Sequence, residues 1–204
     1  QAEARYDQAL ALQPADLQAR EGLGRSLYGQ GRFQEAIAQL TQLAALGREG
    51  LYALARALAQ TGAMAAAATR YEQWLAEFGA SADVSYYLGC ARAHQGDLSG
   101  ALAALDQAAE LAPERADVFL QRGNVCLQMG DLDAAGQDLG RARALAPESA
   151  EVAYALGLYH GRMGEDRQAR AEFERAVQLA PAHAAAHFGT GLAHERRKDY
   201  AQAA

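Results

Sequence analysis

ADVSYYLGCARAHQGDLSGALAALDQAAELAPER, residues 82–115, holds two helical periods with one turn between them and a proline behind them. Val84, Tyr86, Tyr87, Leu88 and Ala91 supply the apolar side of a first helix that ends near Gly96. Gly96–Asp97 makes the turn: glycine accepts the left-handed conformation that follows a helix end, and an Asp97 carboxylate can cap the next helix. Leu98, Ala101, Leu102, Leu105, Ala108, Ala109 and Leu111 then recur at three and four residues, the spacing of a second amphipathic helix. Pro113 stops it, because proline has no N–H to give an interior helical hydrogen bond.

Outward from this segment the same grammar returns at a fixed interval. Pro113, Pro147 and Pro181 stand 34 residues apart, and so do Gly62, Gly96, Gly130 and Gly164, with Gly31 31 residues before them. Ala36, Ala67, Ala101, Ala135 and Ala169 each follow the turn glycine by five, with Ala2 and Ala203 at the ends. Three columns sharing one period mark a repeat architecture. The units run at about 1–16 (partial), 17–47, 48–81, 82–115, 116–149, 150–183 and 184–204 (partial), read as a single solenoid over 1–204.

A second set of columns says how the helices meet. Gly24, Ala55, Gly89, Gly123, Gly157 and Gly191 share one register of the first helix. Glycine inside a helix costs ~1 kcal/mol relative to alanine, so five of them need a compensating reason, and close approach of the partner helix supplies it. The alanine column is expected to face them. Tyr6, Leu40, Tyr71, Leu105, Leu139 and Phe173 are expected to fill the gaps between units.

These residues resemble the tetratricopeptide repeat family, whose 34-position pattern runs Leu–Gly, an aromatic, Ala, an aromatic, Ala and Pro. Leu88–Gly89, Ala101, Leu105, Ala108 and Pro113 match it, as do Leu156–Gly157, Ala169, Phe173, Ala176 and Pro181. The resemblance covers essentially the whole chain. It implies an all-α, right-handed α-solenoid of antiparallel helix pairs, with a concave groove lined by the first helix of each repeat.

The departures are informative. Unit 17–47 is three residues short and has no proline near its end; Gly79 stands where proline would close the next, and Trp74 replaces a small residue of a second helix. Altered stacking is expected there, and a frayed last turn at Lys198, which replaces the turn glycine. Both ends fall inside a repeat without the polar caps that keep solenoids soluble. The chain therefore reads as a piece of a longer array, and self-association through uncapped ends is one reading.

Composition narrows the function. The formal net charge is −6 with both signs interspersed, which argues against nucleic acid, since phosphate binding needs clustered Lys and Arg. No run of apolar residues is long enough to span a bilayer. Lys198 is the only lysine among the basic residues, which with abundant Ala and Gly suggests a GC-rich bacterial genome. No secretory signal is visible, but Gln1 is not a natural start, so the compartment, cytoplasmic or periplasmic, stays open. Cys90 and Cys126 are too few for a disulfide framework and lack metal-ligand spacing.

Enzyme signatures are absent: the chain has no phosphate loop, nucleophile elbow or zinc-protease motif. His183, His187 and His194 share a helical face, but His187 and His194 occupy columns that pack inward, and no third ligand is dictated. Asp131, Asp133 and Asp138 read as a solvated face complementing a helix dipole. A non-catalytic chain without cofactor or metal is expected.

One face of the first helices carries the remaining signal, and in this family that face lines the groove. Its first column is Glu21, Tyr52, Tyr86, Leu120, Tyr154, Phe188; its second is Arg25, Arg56, Cys90, Asn124, Leu158, Leu192; its third begins at Tyr28 and includes Leu127, Gly161 and Glu195. Aromatic and arginine side chains are the usual anchors of an interface. The expected partner is a protein or peptide with an acidic part, for Arg25 and Arg56, and an apolar part, for Leu158 and Leu192. The competing reading is that Tyr52, Tyr86 and Tyr154 pack neighbouring repeats together. Two specialised groove types do not match: the Lys/Arg/Asn clamp of chaperone-binding members, of which only Asn124 is present in kind, and the asparagine ladder of the glycosyltransferase arms, excluded because Asn124 is the one Asn.

Overall fold

The computed structural model describes residues 2–43, 45–182 and 184–191, and every regular element among them is an α-helix. In order these are α1 (Ala2–Leu12), α2 (Leu17–Gly29), α3 (Phe33–Leu40), α4 (Arg48–Gln60), α5 (Met64–Phe78), α6 (Ala82–His94), α7 (Leu98–Leu111), α8 (Ala116–Met129), α9 (Leu132–Leu145), α10 (Ala150–Arg162) and α11 (Asp166–Leu179), followed by a helical stretch at 184–191. Two compact units result, Gln1–Leu111 with α1–α7 and Ala112–Ala204 with the rest. Hairpins α2–α3, α4–α5 and α6–α7 build the first; α8–α9 and α10–α11 build the second. The chain is an all-α solenoid of helix pairs. Leu192, His183, His194, Glu195 and Lys198 lie outside the described residues.

Two turns, repeated, punctuate it. Gly31, Gly62, Gly96, Gly130 and Gly164 all have positive φ, between 76° and 82°. The residue after each donates back to the preceding helix, as in Asp97 N–H to the Arg92 carbonyl at 3.0 Å and Glu165 N–H to the His160 carbonyl at 2.9 Å, which satisfies a carbonyl the helix end would leave orphaned. Asp97 then accepts from the Gly100 N–H at 3.0 Å and Asp131 from the Ala134 N–H at 3.0 Å, capping α7 and α9. The second turn holds the proline: Asp16, Arg115 and Ser149 donate to the carbonyls of Gln13, Ala112 and Ala146, each with proline second in the turn. Asp16 and Ser149 go on to cap α2 and α10 through their side chains.

Inside the hairpins α2–α3, α6–α7, α8–α9 and α10–α11 the glycine column meets a bulky side chain. A Cβ on Gly24 would stand 2.5 Å from Leu40 Cγ, on Gly89 2.6 Å from Leu105 Cγ, on Gly123 2.8 Å from Leu139 Cγ, and on Gly157 2.5 Å from Phe173 Cδ1. The bulky residues expected between units therefore sit first on the glycine of their own hairpin. Phe173 and Tyr6 also reach the following first helix: a Cβ on Gly189 would be 2.8 Å from the same Phe173 edge, and one on Gly22 would overlap the Tyr6 ring. Phe173 thus wedges between two first helices, and the missing Cβ atoms are what admit it. The alanine column is fully buried at Ala36, Ala67, Ala101 and Ala135, and the Ala101 carbonyl oxygen would lie 3.2 Å from a Cβ on Gly89.

The short unit is visible as a short helix. α3 has 8 residues where α7, α9 and α11 have 14, and Leu43 and Leu46, between α3 and α4, are half-buried against the core of Leu40, Ala53 and Leu54. Trp74 sits close by at 3% exposure; its Nε1–H donates to the Arg48 carbonyl at 2.9 Å, and the Arg48 guanidinium lies 4.8 Å above its ring.

Two expectations about polar residues fail. Asp138 is not on a solvated face: it lies in mid-α9 at 5% exposure, held by Arg122 of α8 through two bonds, Nε–Oδ2 at 2.8 Å and Nη2–Oδ1 at 2.5 Å. Such a carboxylate is tolerated in the interior because a planar guanidinium satisfies both oxygens at once. His187 does not pack inward: it is exposed and its Nε2 lies 2.9 Å from the Pro181 carbonyl. That contact belongs to a recurrent device, since Arg20, Arg141 and Arg175 donate to the carbonyls of Pro14, Pro113 and Pro147. Each proline turn is thus tied down by a side chain.

Candidate functional site

In the first unit the face of α2, α4 and α6 is built around tyrosines. Arg25, Tyr28 and Tyr52 border a cavity of about 410 Å³, with Tyr6, Ser26 and Glu49 completing much of its wall. Arg25 is exposed and ion-paired with Glu49 from the start of α4, so its charge is already answered. Tyr28 leans on Phe33 with ring centres 5.8 Å apart. Beyond the cavity stands Arg56, half-buried, one α-helical turn from Tyr52, whose hydroxyl oxygen accepts from Nη1 at 3.3 Å.

Tyr87, outside the three groove columns, organises this region. Its ring lies 3.7 Å beneath the Arg56 guanidinium carbon and stacks on Tyr71 at 6.2 Å with 20° between planes. Tyr52 and Tyr86 meet it edge-on at 6.4 and 5.1 Å. Its position just after Tyr86 puts it toward the preceding repeat, and the doublet Tyr86–Tyr87 is the one signal of it in the sequence. Tyr71 itself is fully buried and its hydroxyl has no hydrogen-bond partner among the described residues. Burial pushes its phenol far above the ordinary value, against the pull of the Arg56 charge. Burial raises Tyr52 as well, again opposed by Arg56. Both phenols therefore remain protonated hydrogen-bond donors. The Cys90 thiol is half-buried.

In the second unit Leu120 and Asn124 of α8 are half-buried, while Leu127 is 4% exposed and belongs to the core, so it offers a guest nothing but its backbone. That carbonyl accepts from the Arg162 guanidinium. Tyr154, Leu158 and Phe188 come together around an apolar pocket of about 330 Å³, floored by Gly157, Gly161 and Phe173. Leu158 is 39% and Phe188 69% exposed. Tyr154 is half-buried with its ring 5.7 Å from Phe173. It thus both lines the pocket and supports the hairpin.

Among the described residues no helix is long and apolar enough to cross a membrane, and no group of three His, Cys, Asp or Glu is placed to hold a metal ion. The first unit thus offers an aromatic hollow at Arg25, Tyr28 and Tyr52, and the second an apolar one at Tyr154, Leu158 and Phe188.

Family models place the chain. One tetratricopeptide repeat model matches residues 1–50, 23–83, 52–116 and 154–204, and a second such model matches 92–159. The chain belongs to the tetratricopeptide repeat family. No curated protein matches it in sequence. Solved structures do: MamA MSR-1 C2 (24% identity, TM-score 0.70, covering 82% of this chain and 98% of that one); TTC0263, a thermophilic TPR protein in Thermus thermophilus (26%, TM-score 0.67, 87% and 98%); and YrrB, described as a TPR protein with an unusual peptide-binding site (18%, TM-score 0.73, 91% and 97%).

Proposed function

We propose that this chain is a non-catalytic interaction scaffold whose first-helix face holds a peptide or a segment of another protein. The observation that carries this reading is the pair of hollows on that face, one walled by Arg25, Tyr28 and Tyr52, the other by Tyr154, Leu158 and Phe188. Rigid aromatic side chains around a concavity give contact area at small entropic cost, the usual makeup of an interface anchor. A similar fold with a peptide-binding site in YrrB supports it. The setting we favour is a bacterial secretion, pilus or polysaccharide-export assembly. The second reading, a recruiting arm of a glycosyltransferase or sulfotransferase, requires a catalytic domain elsewhere in the natural protein, and the full-length gene sequence decides between them.

Capture from the source organism's lysate with wild-type and Tyr86→Ala/Tyr154→Ala baits tests the groove. Loss of a specific partner with helicity retained supports it; equal loss of stability and binding returns these tyrosines to packing. Nucleic acid is not an expected partner. Self-association is a separate matter, read as mass against dilution by light scattering.

A further inference from the structure

We propose that Arg56 is a receptor for a single carboxylate of the guest, seated beside the Tyr52 hydroxyl. This deepens the scaffold reading above and rests on it. Arg25, Arg32 and Arg92 of the same unit each pair with a glutamate. Arg56 pairs with no carboxylate among the described residues: its partners are the Tyr52 hydroxyl oxygen and Tyr87, on whose ring its flat face rests. A guanidinium has five N–H donors, and this one is half-buried with most of them unspent. A cation partly withdrawn from water is costly unless an anion answers it.

The Tyr52 hydroxyl that meets Arg56 belongs to a ring that also walls the adjoining 410 Å³ cavity, as does Tyr28. The Asp83 carboxylate acts on Tyr52. Besides burial, the groups that act most on Arg56 are Tyr87, Tyr28 and Tyr52, with no carboxylate among them, and Glu49 is engaged with Arg25. A carboxylate is favoured over a phosphate because one guanidinium with phenols matches one negative charge, and two oxygens match the planar fork.

The test uses the whole 204-residue chain and two probes, N-acetyl-hexaglutamate amide and its glutamine counterpart, with binding followed by the tyrosine ring signals in NMR. Wild type should bind the glutamate peptide saturably and at least ~10-fold better than the glutamine one. Arg56→Gln should abolish that preference. Tyr52→Phe should weaken it ~2–5-fold by removing the hydroxyl beside the guanidinium. Arg25→Gln, the same change of net charge at a residue already paired, should cost less than Arg56→Gln. Equal binding by Arg56→Gln, no binding of hexaglutamate by wild type, or stronger competition by inorganic phosphate than by acetate would each overturn the assignment. None of these touches the capture experiment, so a scaffold that grips its guest elsewhere is distinguished from no scaffold at all.

Discussion

Two glycines of the second unit, both inside helices, should respond to alanine with opposite sign. Gly140 lies on the exposed side of α9 with nothing within 4 Å of a built Cβ. Alanine there removes only the helix penalty of glycine, a gain of about 1 kcal/mol. Gly157 of α10 receives the same gain, but its Cβ would stand 2.5 Å from Cδ1 and Cε1 of Phe173. Carbon atoms rest at about 3.5–4.0 Å, so the ring must retreat by about 1 Å. It has little room, because the same edge abuts Gly189 and the Tyr154 ring stands 5.7 Å away. Overpacking of this kind costs about 1–3 kcal/mol. An unyielding aromatic ring belongs near the top of that range, leaving a net loss of ~1–2 kcal/mol after the helix gain. At ~2–4 °C per kcal/mol for a chain of this size, Gly140→Ala should melt ~2–4 °C higher and Gly157→Ala ~2–8 °C lower. Urea titration and thermal melting followed by circular dichroism read both. A Gly157→Ala protein as stable as wild type, or more so, would show that the ring is not wedged and that the glycine column has another cause.

Gly123→Leu should destabilise by ~1–3 kcal/mol or more, because the added side chain enters the space of Leu139; an unchanged melting curve would contradict the packing. Removing Arg122 alone, as Arg122→Ala, should cost ~3–5 kcal/mol by stranding the buried Asp138, whereas Arg122→Met with Asp138→Leu should recover most of the loss, both read by urea titration. Trp74→Phe forfeits the bond to the Arg48 carbonyl and should cost ~1–2 kcal/mol. Trp74 is the one tryptophan, so its emission in wild type should redden on unfolding of the first unit. The Asp117 carboxyl is held low chiefly by its hydrogen bond from Arg115. Its stabilisation is therefore present above the ordinary carboxylate value and lost as pH falls through the lowered one; Asp117→Asn should flatten that part of the acid-unfolding curve.

The repeat grammar was legible because its causes are local. A glycine at positive φ, a capping aspartate and a proline in second place of a tight turn act over a few neighbouring residues, so columns such as Gly96, Asp97 and Pro113 announce helix, turn and stop without any knowledge of distant partners. The glycine register also announced close approach, since its helix penalty needed an explanation. What faced it could not be read. The same columns fit alanine or leucine opposite glycine, and only the wedge of Leu105 or Phe173 against the first helices chose. Asp138 looked like one more carboxylate in an acidic stretch until Arg122 arrived from the facing helix. Tyr87 looked like a neighbour of Tyr86 until stacking on Tyr71 made it the seat of Arg56. Sequence by itself settled the helical hairpins, their period and their family, because backbone conformation answers to the nearest residues. Tertiary structure alone decided which charges are paired and which tyrosines are spent in packing, because those depend on side chains brought together from residues far apart in the chain.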